Sequence, residues 1–486
     1  MKDWVNEKVE GKRVEPLYLN ISGRAGCGKS AVLNCISRFI RKKAKPNFLK
    51  IGAPTGTAAF LVKGNTMHTL LRLPINNSKN ELKELSGKSL RDLQENFENV
   101  EIIVIDEKSM IGQYYFYMID ARCRQAKPEN AKLPFGGISV ILMGDFAQLP
   151  PIRDSPLYME LEEKNAKNPQ ITSGYFLFKK LFSENTIIFD KIMRQGEDQK
   201  EFKGILDRIA SGDFTRDDWD YLRKRDLNGP EFTPEQRKEI RAKSIKVCAL
   251  NKDTRRYNIQ RIKDLGTPVA GIKSLNKGKG AGSASSNEAQ GLSSDMIIAK
   301  GSQVLLTWNL WQEAGLTNGA RGTIKYIIYE KGKKPPSLPD MIIVHFEQYI
   351  GPSYLEGEEK CVPIVVQERH FIKNKESCIR IMVPLKPGYA ISIHSSQGAS
   401  LDSVIINLGP KEFATGLAYV ASSRVRKIQN LYFDPMPDLK RFAGMKNSKI
   451  FRQRKLQDDR EKASDEKYAM AWKEKFEKEN GTNPQE

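Results

Sequence analysis

Several residue types are scarce in this chain, and each scarcity excludes something. Among 486 residues there are six cysteines, four histidines and five tryptophans. The cysteines (Cys27, Cys35, Cys123, Cys248, Cys361 and Cys378) form no C-x-x-C pair. That argues against zinc ligation and against a disulfide framework, so reduced thiols are expected. No uncharged apolar run approaches the ~18 residues of a membrane span, and the first residues lack a signal-peptide apolar core. A soluble, intracellular protein with no membrane partner is expected. No repeat of fixed period is present. Acidic residues are also in deficit, 59 Asp+Glu against 79 Lys+Arg, which leaves a net charge of +20. Such a surplus favours a polyanionic partner, most simply nucleic acid, because each neutralised phosphate releases counterions. Hydrophobic residues at 39% and aromatics at 9% suffice for ordinary cores. Wholesale disorder is therefore excluded, and at roughly 100 to 200 residues per domain the length implies two to four domains.

From Leu17 onward short apolar runs alternate with helix-length amphipathic stretches. Strands are expected at 17–21, 48–53, 101–105 and 139–143, and a helix over 29–43. This alternation implies an α/β fold with a mostly parallel sheet covered on both faces. A second set of strands is expected at 245–250, 302–307, 389–394, 403–408 and 430–433. Residues 276–294, rich in Gly, Ser, Ala and Lys, are expected as a flexible surface loop. Between Asn318 and Pro387 helical patterns give way to β-rich runs at 322–329, 341–346, 361–366 and 378–383, which suggests a small inserted β-barrel. The segment from Lys440 is charge-laced and helical, and its Tyr468, Trp472 and Phe476, spaced i, i+4, i+8, read as a stripe that packs on another helix.

The chemistry starts with Gly23-Arg24-Ala25-Gly26-Cys27-Gly28-Lys29-Ser30, which satisfies G-x-x-x-x-G-K-[ST] between an expected strand and an expected helix. The glycines let backbone N–H groups face phosphates at the helix N-terminus. Lys29 would reach the β- and γ-phosphates and the Ser30 hydroxyl would ligate Mg²⁺. Four apolar residues, Ile102 to Ile105, end in Asp106 and Glu107. Both carboxylates thus emerge at the edge where a nucleotide would sit, Asp106 to hold the metal and Glu107 to polarise the attacking water. After another apolar strand comes Gly144-Asp145-Phe146-Ala147-Gln148-Leu149-Pro150-Pro151, whose Gln148 is placed to sense a γ-phosphate. On these residues alone the reading is a Mg²⁺-dependent NTPase.

Further motifs then fall in order: APTGTAAF at 53–60, NTMHTLL at 65–71, VIDEKSM at 104–110, PFGGISVILMGDFAQLPPI at 134–152, MRQ at 193–195, NGARGTI at 318–324, ISIHSSQGASLDSVIINLG at 391–409 and AYVASSRVRK at 418–427. With these blocks the chain resembles the RecD-like branch of superfamily 1 helicases, specifically the Pif-type DNA helicases. The resemblance implies two RecA-like P-loop NTPase domains with a small SH3-like β-barrel insertion in the second. Its boundaries would be 1–195 for the first domain, 196–317 and 388–439 for the second, 318–387 for the insertion and 440–486 for a charged helical tail.

The same resemblance implies ATP-dependent translocation on single-stranded DNA, 5′ to 3′, and unwinding of duplex. ATP would be the substrate and Mg²⁺ the cofactor, in a cleft between the two domains. It implies single-stranded and forked DNA as partners, a monomeric motor, a nuclear location and roles in repair, recombination or telomere maintenance. RNA stays open, because the grip is mainly on phosphates and stacked bases. A non-catalytic nucleic-acid-binding remnant of a mobile element is the rival reading.

Residue by residue, the family pattern assigns nucleotide contacts to Gly23, Gly26, Gly28, Lys29, Ser30, Gln148 and Gly398. It makes Gln148 the coupling residue and makes Arg194 and Arg424 arginine fingers, since a guanidinium fork matches phosphate oxygens and keeps its charge. Single-strand contacts fall to Pro54, Thr55, Thr66, His68, Ser392, His394 and Gln397. Four departures stand out. No glutamine precedes Gln94, so the family's adenine-reading glutamine has no counterpart and weak base selectivity is expected, as for a chain lacking an N-terminal segment. Lys108 stands where the family has an apolar residue, Ser395 replaces a lysine and Ser422 replaces a leucine.

Overall fold

The computed structural model describes residues 1–486 except 75–81, 287, 312, 355, 374–375, 411–413, 444–445 and 481–486. Two compact units are present: 1–231 with 396–402 and 410–486, and 232–395 with 403–409.

In the first unit, six strands form one sheet in the order β3-β2-β4-β5-β1-β6. They are β1 (Tyr18–Gly23), β2 (Leu49–Ala53), β3 (Asn65–Thr66), β4 (Ile102–Ile105), β5 (Ser139–Gly144) and β6 (Thr186–Phe189). Every pairing is parallel. The central strands are apolar on both faces, and strand geometry sends successive side chains to opposite sides. Ile102, Val104, Ile141 and Met143 therefore join Leu33 and Ile40 of the Lys29–Lys43 helix in one core. Ile103, Ile105, Val140 and Leu142 join Phe116 and Ile119 of the Gln113–Ala126 helix and Phe178 of the Pro169–Leu181 helix in the other. Because all strands run the same way, β1, β4 and β5 end at one edge, which positions the P-loop, the acidic pair and the Gly144–Gln148 turn together.

β6 is an edge strand that sequence reading passed over. The long C-terminal helix, Lys449–Asn480, covers it. Ser464 Oγ accepts from Thr186 N (2.8 Å) and Asp465 Oδ1 accepts from Ile188 N (2.8 Å), so backbone donors on the open edge are satisfied by side chains. This corrects the expected aromatic stripe. The helix is held by these polar contacts with an edge strand, Tyr468 and Trp472 are 41% and 59% exposed, and the Phe476 side chain lies outside the described residues.

The second unit contains three parallel strands, Ala390–Ser392, Ile245–Cys248 and Val404–Asn407, in that order. It also contains a five-stranded antiparallel sheet in which Arg321–Ile328, Met341–His345 and Cys361–Val365 pair in sequence. Gln303–Leu306, expected among the second set of α/β strands, instead pairs antiparallel with Arg321–Ile328 and Leu385–Pro387. The short run 302–307 is apolar enough for either sheet, and hydrogen-bond partners decide the matter.

The expected flexible loop at 276–294 is ordered over its described residues, a second correction. Leu275–Lys277 pairs with Glu376–Met382. Arg380, fully buried, donates to Asn276 Oδ1 (2.9 Å) and to the carbonyls of Leu292 (3.0 Å), Ala281 (2.6 Å) and Ala284 (2.9 Å). Small residues let the backbone wrap one guanidinium, and Ala281, Ala284 and Ala289 close over Phe371 and Cys378. Composition pointed to disorder because it carried no trace of an arginine a hundred residues away. All six cysteines are free. Among the described residues no helix is long and apolar enough to cross a membrane.

Candidate functional site

A cavity of about 400 Å³ opens at the carboxyl edge of the parallel sheet, lined by residues 25–30, Asp106, Glu107, Gln148, Met193, Arg194, Gly398, Ser400, Arg424 and Arg426. All of them belong to the first unit. Arg424 and Gly398, expected in the second domain, are therefore grouped with the P-loop, because 396–402 and 410–486 pack with it.

The P-loop glycines are required sterically. Gly26 has φ +87° and a Cβ there would sit 2.5 Å from Arg194 Cβ. Met193 N and Arg194 N both donate to Gly26 O (2.8 and 3.1 Å), so the MRQ segment is strapped onto the loop. Gly28, with φ +90°, caps the Lys29–Lys43 helix, whose N-terminus favours an anion. Gly23 lies behind the cavity, where a side chain would meet Cys27 Sγ and Phe189 O at 2.6 Å. Lys29 Nζ donates to Gly23 O (2.6 Å) and Arg24 O (3.0 Å), and Ser30 is exposed on the cavity rim.

Asp106 and Glu107 follow β4. Burial pushes both carboxyl groups above the ordinary carboxylate range, and for Glu107 the neighbouring Asp106 charge adds to it. Gln397 Nε2 donates to Glu107 Oε2 (3.1 Å) and opposes that rise. Gln397 was expected to touch DNA. It is 4% exposed and faces the acidic pair, so it is not available to a strand. Gly398, φ +78°, comes so close that a Cβ would lie 3.5 Å from Glu107 Oε1.

Gln148 is buried, and its Oε1 has no hydrogen-bond partner among the described residues. Just before it, Asp145 accepts from Tyr419 Oη (2.9 Å) and pairs with Arg24 (3.4 Å). Burial opposes ionisation of Asp145, but Arg24 and Lys29 outweigh it and hold the carboxyl below its usual range. Tyr419 Oη in turn accepts from Ala25 N in the P-loop (2.9 Å). Tyr419 was missed in the sequence, although it stands in the AYVASSRVRK block five residues before Arg424.

Arg194 Nη1 donates to Ser423 O (2.9 Å). Arg424, 1% exposed, directs its donors to the carbonyls of Val420, Ser396 and Ala399 and to Ser423 Oγ. Burial first, and then the nearby Arg194 charge, lowers its pKa to about 9. Two converging guanidiniums and Lys29, all hydrogen-bonded to neutral oxygens, make a site suited to a polyanion.

The expected strand contacts form two groups. In the first unit Pro54, Thr55, Thr66 and His68 are half-buried at the β2–β3 side. Thr55 Oγ1 accepts from Ala58 N and Thr66 Oγ1 from Thr69 N (both 3.2 Å), so each also caps a helix. The His68 ring lies 5.2 Å from Tyr115. Ser392 and His394 lie in the second unit, where Ser392 Oγ meets Ser395 Oγ at 2.9 Å. Burial lowers the pKa of both histidines.

Among the described residues no cluster of three or more His, Cys, Asp or Glu could hold a metal alone. The donors here, the Ser30 hydroxyl and the Asp106 carboxylate, fit a hard cation that completes its shell with phosphate oxygens and water.

A family model described as PIF1-like helicase matches residues 5–218. The human ATP-dependent DNA helicase PIF1 is 29% identical over 424 residues, covering 85% of this chain and 58% of that protein. The chain thus spans little more than half the length of that relative. Two solved structures align over most of the chain. The Pif1 helicase from Candida albicans has a TM-score of 0.69 at 21% identity, covering 94% of this chain and 98% of its own. The Bacteroides Pif1 in complex with ADP-AlF3 and single-stranded DNA has a TM-score of 0.60 at 22% identity, covering 90% and 93%. At such identities the structural likeness establishes the fold, mixed α/β with the parallel sheet of RecA-like domains. The sequence motifs and the family model over residues 5–218 thus liken the chain to the PIF1-like helicases, and the fold is the one those helicases share.

Proposed function

We propose that this chain is an ATP-dependent DNA helicase that moves along single-stranded DNA, 5′ to 3′, and unwinds forked duplex. The observation that carries the reading is the cavity itself: a P-loop, an acidic pair, a buried glutamine with a free acceptor, and two arginines face one volume of about 400 Å³.

The loop amides and Lys29 bind and orient the triphosphate. Ser30 and Asp106 would hold Mg²⁺, which when bound draws charge from the phosphate oxygens. Glu107, fixed by Gln397, accepts a hydrogen bond from the attacking water and polarises it. Gln148 Oε1 is free to accept the second water proton and so fix its direction. Arg194 and Arg424 present charge to the phosphoryl oxygens as they separate from the leaving group. Tyr419, bonded to both the loop and Asp145, keeps these parts in register. Nucleotide turnover then alternates the grip on a strand held by Pro54, Thr55, Thr66, His68, Ser392 and His394. The antiparallel sheet of the second unit is an SH3-like insertion in this reading. Roles in repair, recombination or telomere maintenance, a nuclear location and a monomeric motor belong to the same reading, supported by the likeness to PIF1 proteins.

The test is ATP hydrolysis with and without Mg²⁺, single-stranded DNA and single-stranded RNA, with Lys29→Ala as control. Mg²⁺-dependent turnover that rises several-fold with DNA is expected, together with displacement of a strand only from 5′-tailed duplex. Turnover indifferent to DNA would sink the motor reading, stimulation by RNA alone would change its track, and no turnover would favour the non-catalytic binder.

A further inference from the structure

Lys108 directly follows the acidic pair, and it is fully buried. Its ammonium donates to Asn20 Oδ1 (2.6 Å), Ser22 Oγ (2.9 Å) and Glu461 Oε1 (3.2 Å), so each of its three protons has an acceptor. It also lies 4.3 Å from the centroid of the Phe146 ring. Glu461, 3% exposed, is equally satisfied: Oε1 accepts from Asn20 Nδ2 (2.8 Å) and Oε2 from Ser22 Oγ (2.5 Å). The network therefore joins β1, just before the P-loop, to the turn after β4 and to the C-terminal helix.

A buried ion pair contributes little net stability even when satisfied, and its best-attested use is to specify one arrangement. The arrangement at stake here is next door. Glu107 adopts φ 55°, ψ 48°, the left-handed region that a side-chain-bearing residue avoids. The following peptide is pinned from two sides. A Cβ on Gly144 would lie 2.8 Å from Lys108 N and 3.4 Å from Glu107 C, so β5 presses on the backbone there. From the other side the Lys108 ammonium is tied to three partners. Such a conformation persists only where the surroundings over-determine it. Without the tether, Glu107 would relax toward ordinary φ and swing its carboxylate from the cavity.

We infer that Lys108 and Glu461 are positioning residues for the Glu107 carboxylate, so that the C-terminal helix, more than 350 residues away in sequence, sets the group that polarises the attacking water. The inference rests on the ATPase reading of the cavity. It concerns two residues that touch no nucleotide.

The test is a double variant, Lys108→Met with Glu461→Gln, which removes both charges together at similar volume and leaves an amide at position 461 to pair with Asn20 Nδ2 and Ser22 Oγ, while Asn20 Oδ1 loses its ammonium donor. Steady-state ATPase, binding of a fluorescent ADP analogue and thermal unfolding are measured in parallel. A kcat about tenfold to a hundredfold below the parent is expected, because displacement of a reacting group by about 1 Å costs that much. ADP affinity within about threefold and an unfolding midpoint within a few degrees should accompany it. Glu461→Gln alone reads the same quantities should the double variant fail to fold. The double variant is also placed in the Glu107→Gln background, where it should have no further effect on the residual rate. A merely structural role would lower the rate equally in both backgrounds and would overturn the inference, as would a folded double variant with parental kcat. If instead Glu107→Gln itself retains parental turnover, it is the assignment of Glu107 in the ATPase reading that fails.

Discussion

Removing the Gln397 amide tests how the acidic pair is tuned. Its Nε2 donates to Glu107 Oε2 at 3.1 Å inside a buried site, and it opposes the rise that burial and Asp106 impose on that carboxyl. A hydrogen bond to a charged group contributes roughly 1.5 to 3 kcal/mol, and one pH unit corresponds to about 1.4 kcal/mol. Gln397→Leu should therefore raise the Glu107 pKa by about 1 to 2 units. The sign follows from the donor: the amide favours the ionised carboxylate, so its loss favours the protonated form, and the active form needs a higher pH. The acid limb of the kcat/KM profile, which reports groups of the free enzyme, should move alkaline by that amount. Below both limbs the variant would run about tenfold to a hundredfold slower, and above both the two rates would converge. DNA-stimulated ATP hydrolysis at subsaturating ATP across the stability range of the protein measures this. A loss of equal size at every pH would mean that Gln397 acts only by placement, and an unmoved limb would refute the account of Glu107.

Two other predictions follow from steric and electrostatic facts. Gly26→Ala would place a methyl group 2.5 Å from Arg194 Cβ on a backbone with φ +87°. Strain of about 1 to 3 kcal/mol should distort the loop and weaken ADP binding about tenfold or more by calorimetric titration; binding within twofold of the parent would refute the packing argument. Asp458 on the C-terminal helix has its pKa raised to about 6 by burial, against the pull of Arg24. A raised carboxyl holds its proton more tightly when folded, so stability is lost as pH rises from the unfolded value near 4 through 6 and stays lost above. Asp458→Asn should remove that penalty, up to roughly 3 kcal/mol at pH 8 and about half as much at pH 5. Thermal midpoints at the two pH values test this, and a benefit that grows toward acid pH would overturn it.

The parts of the molecule legible in the sequence are those fixed by local rules. The Lys29–Lys43 helix appears with its expected ends, and β1, β4 and β5 fall within two residues of their expected positions, because apolar runs and P-loop glycines encode them directly. The residues expected to handle nucleotide, Lys29, Ser30, Asp106, Glu107, Gln148, Arg194 and Arg424, line one cavity, the first five because a parallel sheet brings successive strand ends to one edge. What escaped reading depends on distant partners. Lys108 stands as a departure from the family pattern, and the counter-charge that lets it be buried, Glu461, lies 353 residues along the chain. The 276–294 segment looked unfoldable until Arg380 gave its carbonyls a common donor. The family pattern gave Gln397 to the strand, but its neighbour in space is Glu107.

Those long-range links also bear on how nucleotide could be sensed. Arg424 holds the carbonyls of Ser396 and Ala399 at 3.2 and 3.3 Å, and Lys29 holds two loop carbonyls. These acceptors are neutral, whereas a phosphate oxygen carries negative charge and adds ion pairing, and for the guanidinium a matched fork, to the same hydrogen bond. A triphosphate in the cavity would therefore draw both cations from their carbonyls. Release of Ser396 and Ala399 removes one tie at each end of the segment that carries Gln397 and Gly398, the residues of that segment against Glu107, while Ala399 N still donates to Ser396 O (3.1 Å). The same segment continues N-terminally, through Ser395, into His394 and Ser392. Under the proposed function, Arg424 is thus placed so that one exchange of hydrogen-bond partners reaches Gln397 and Gly398 and, through them, Glu107.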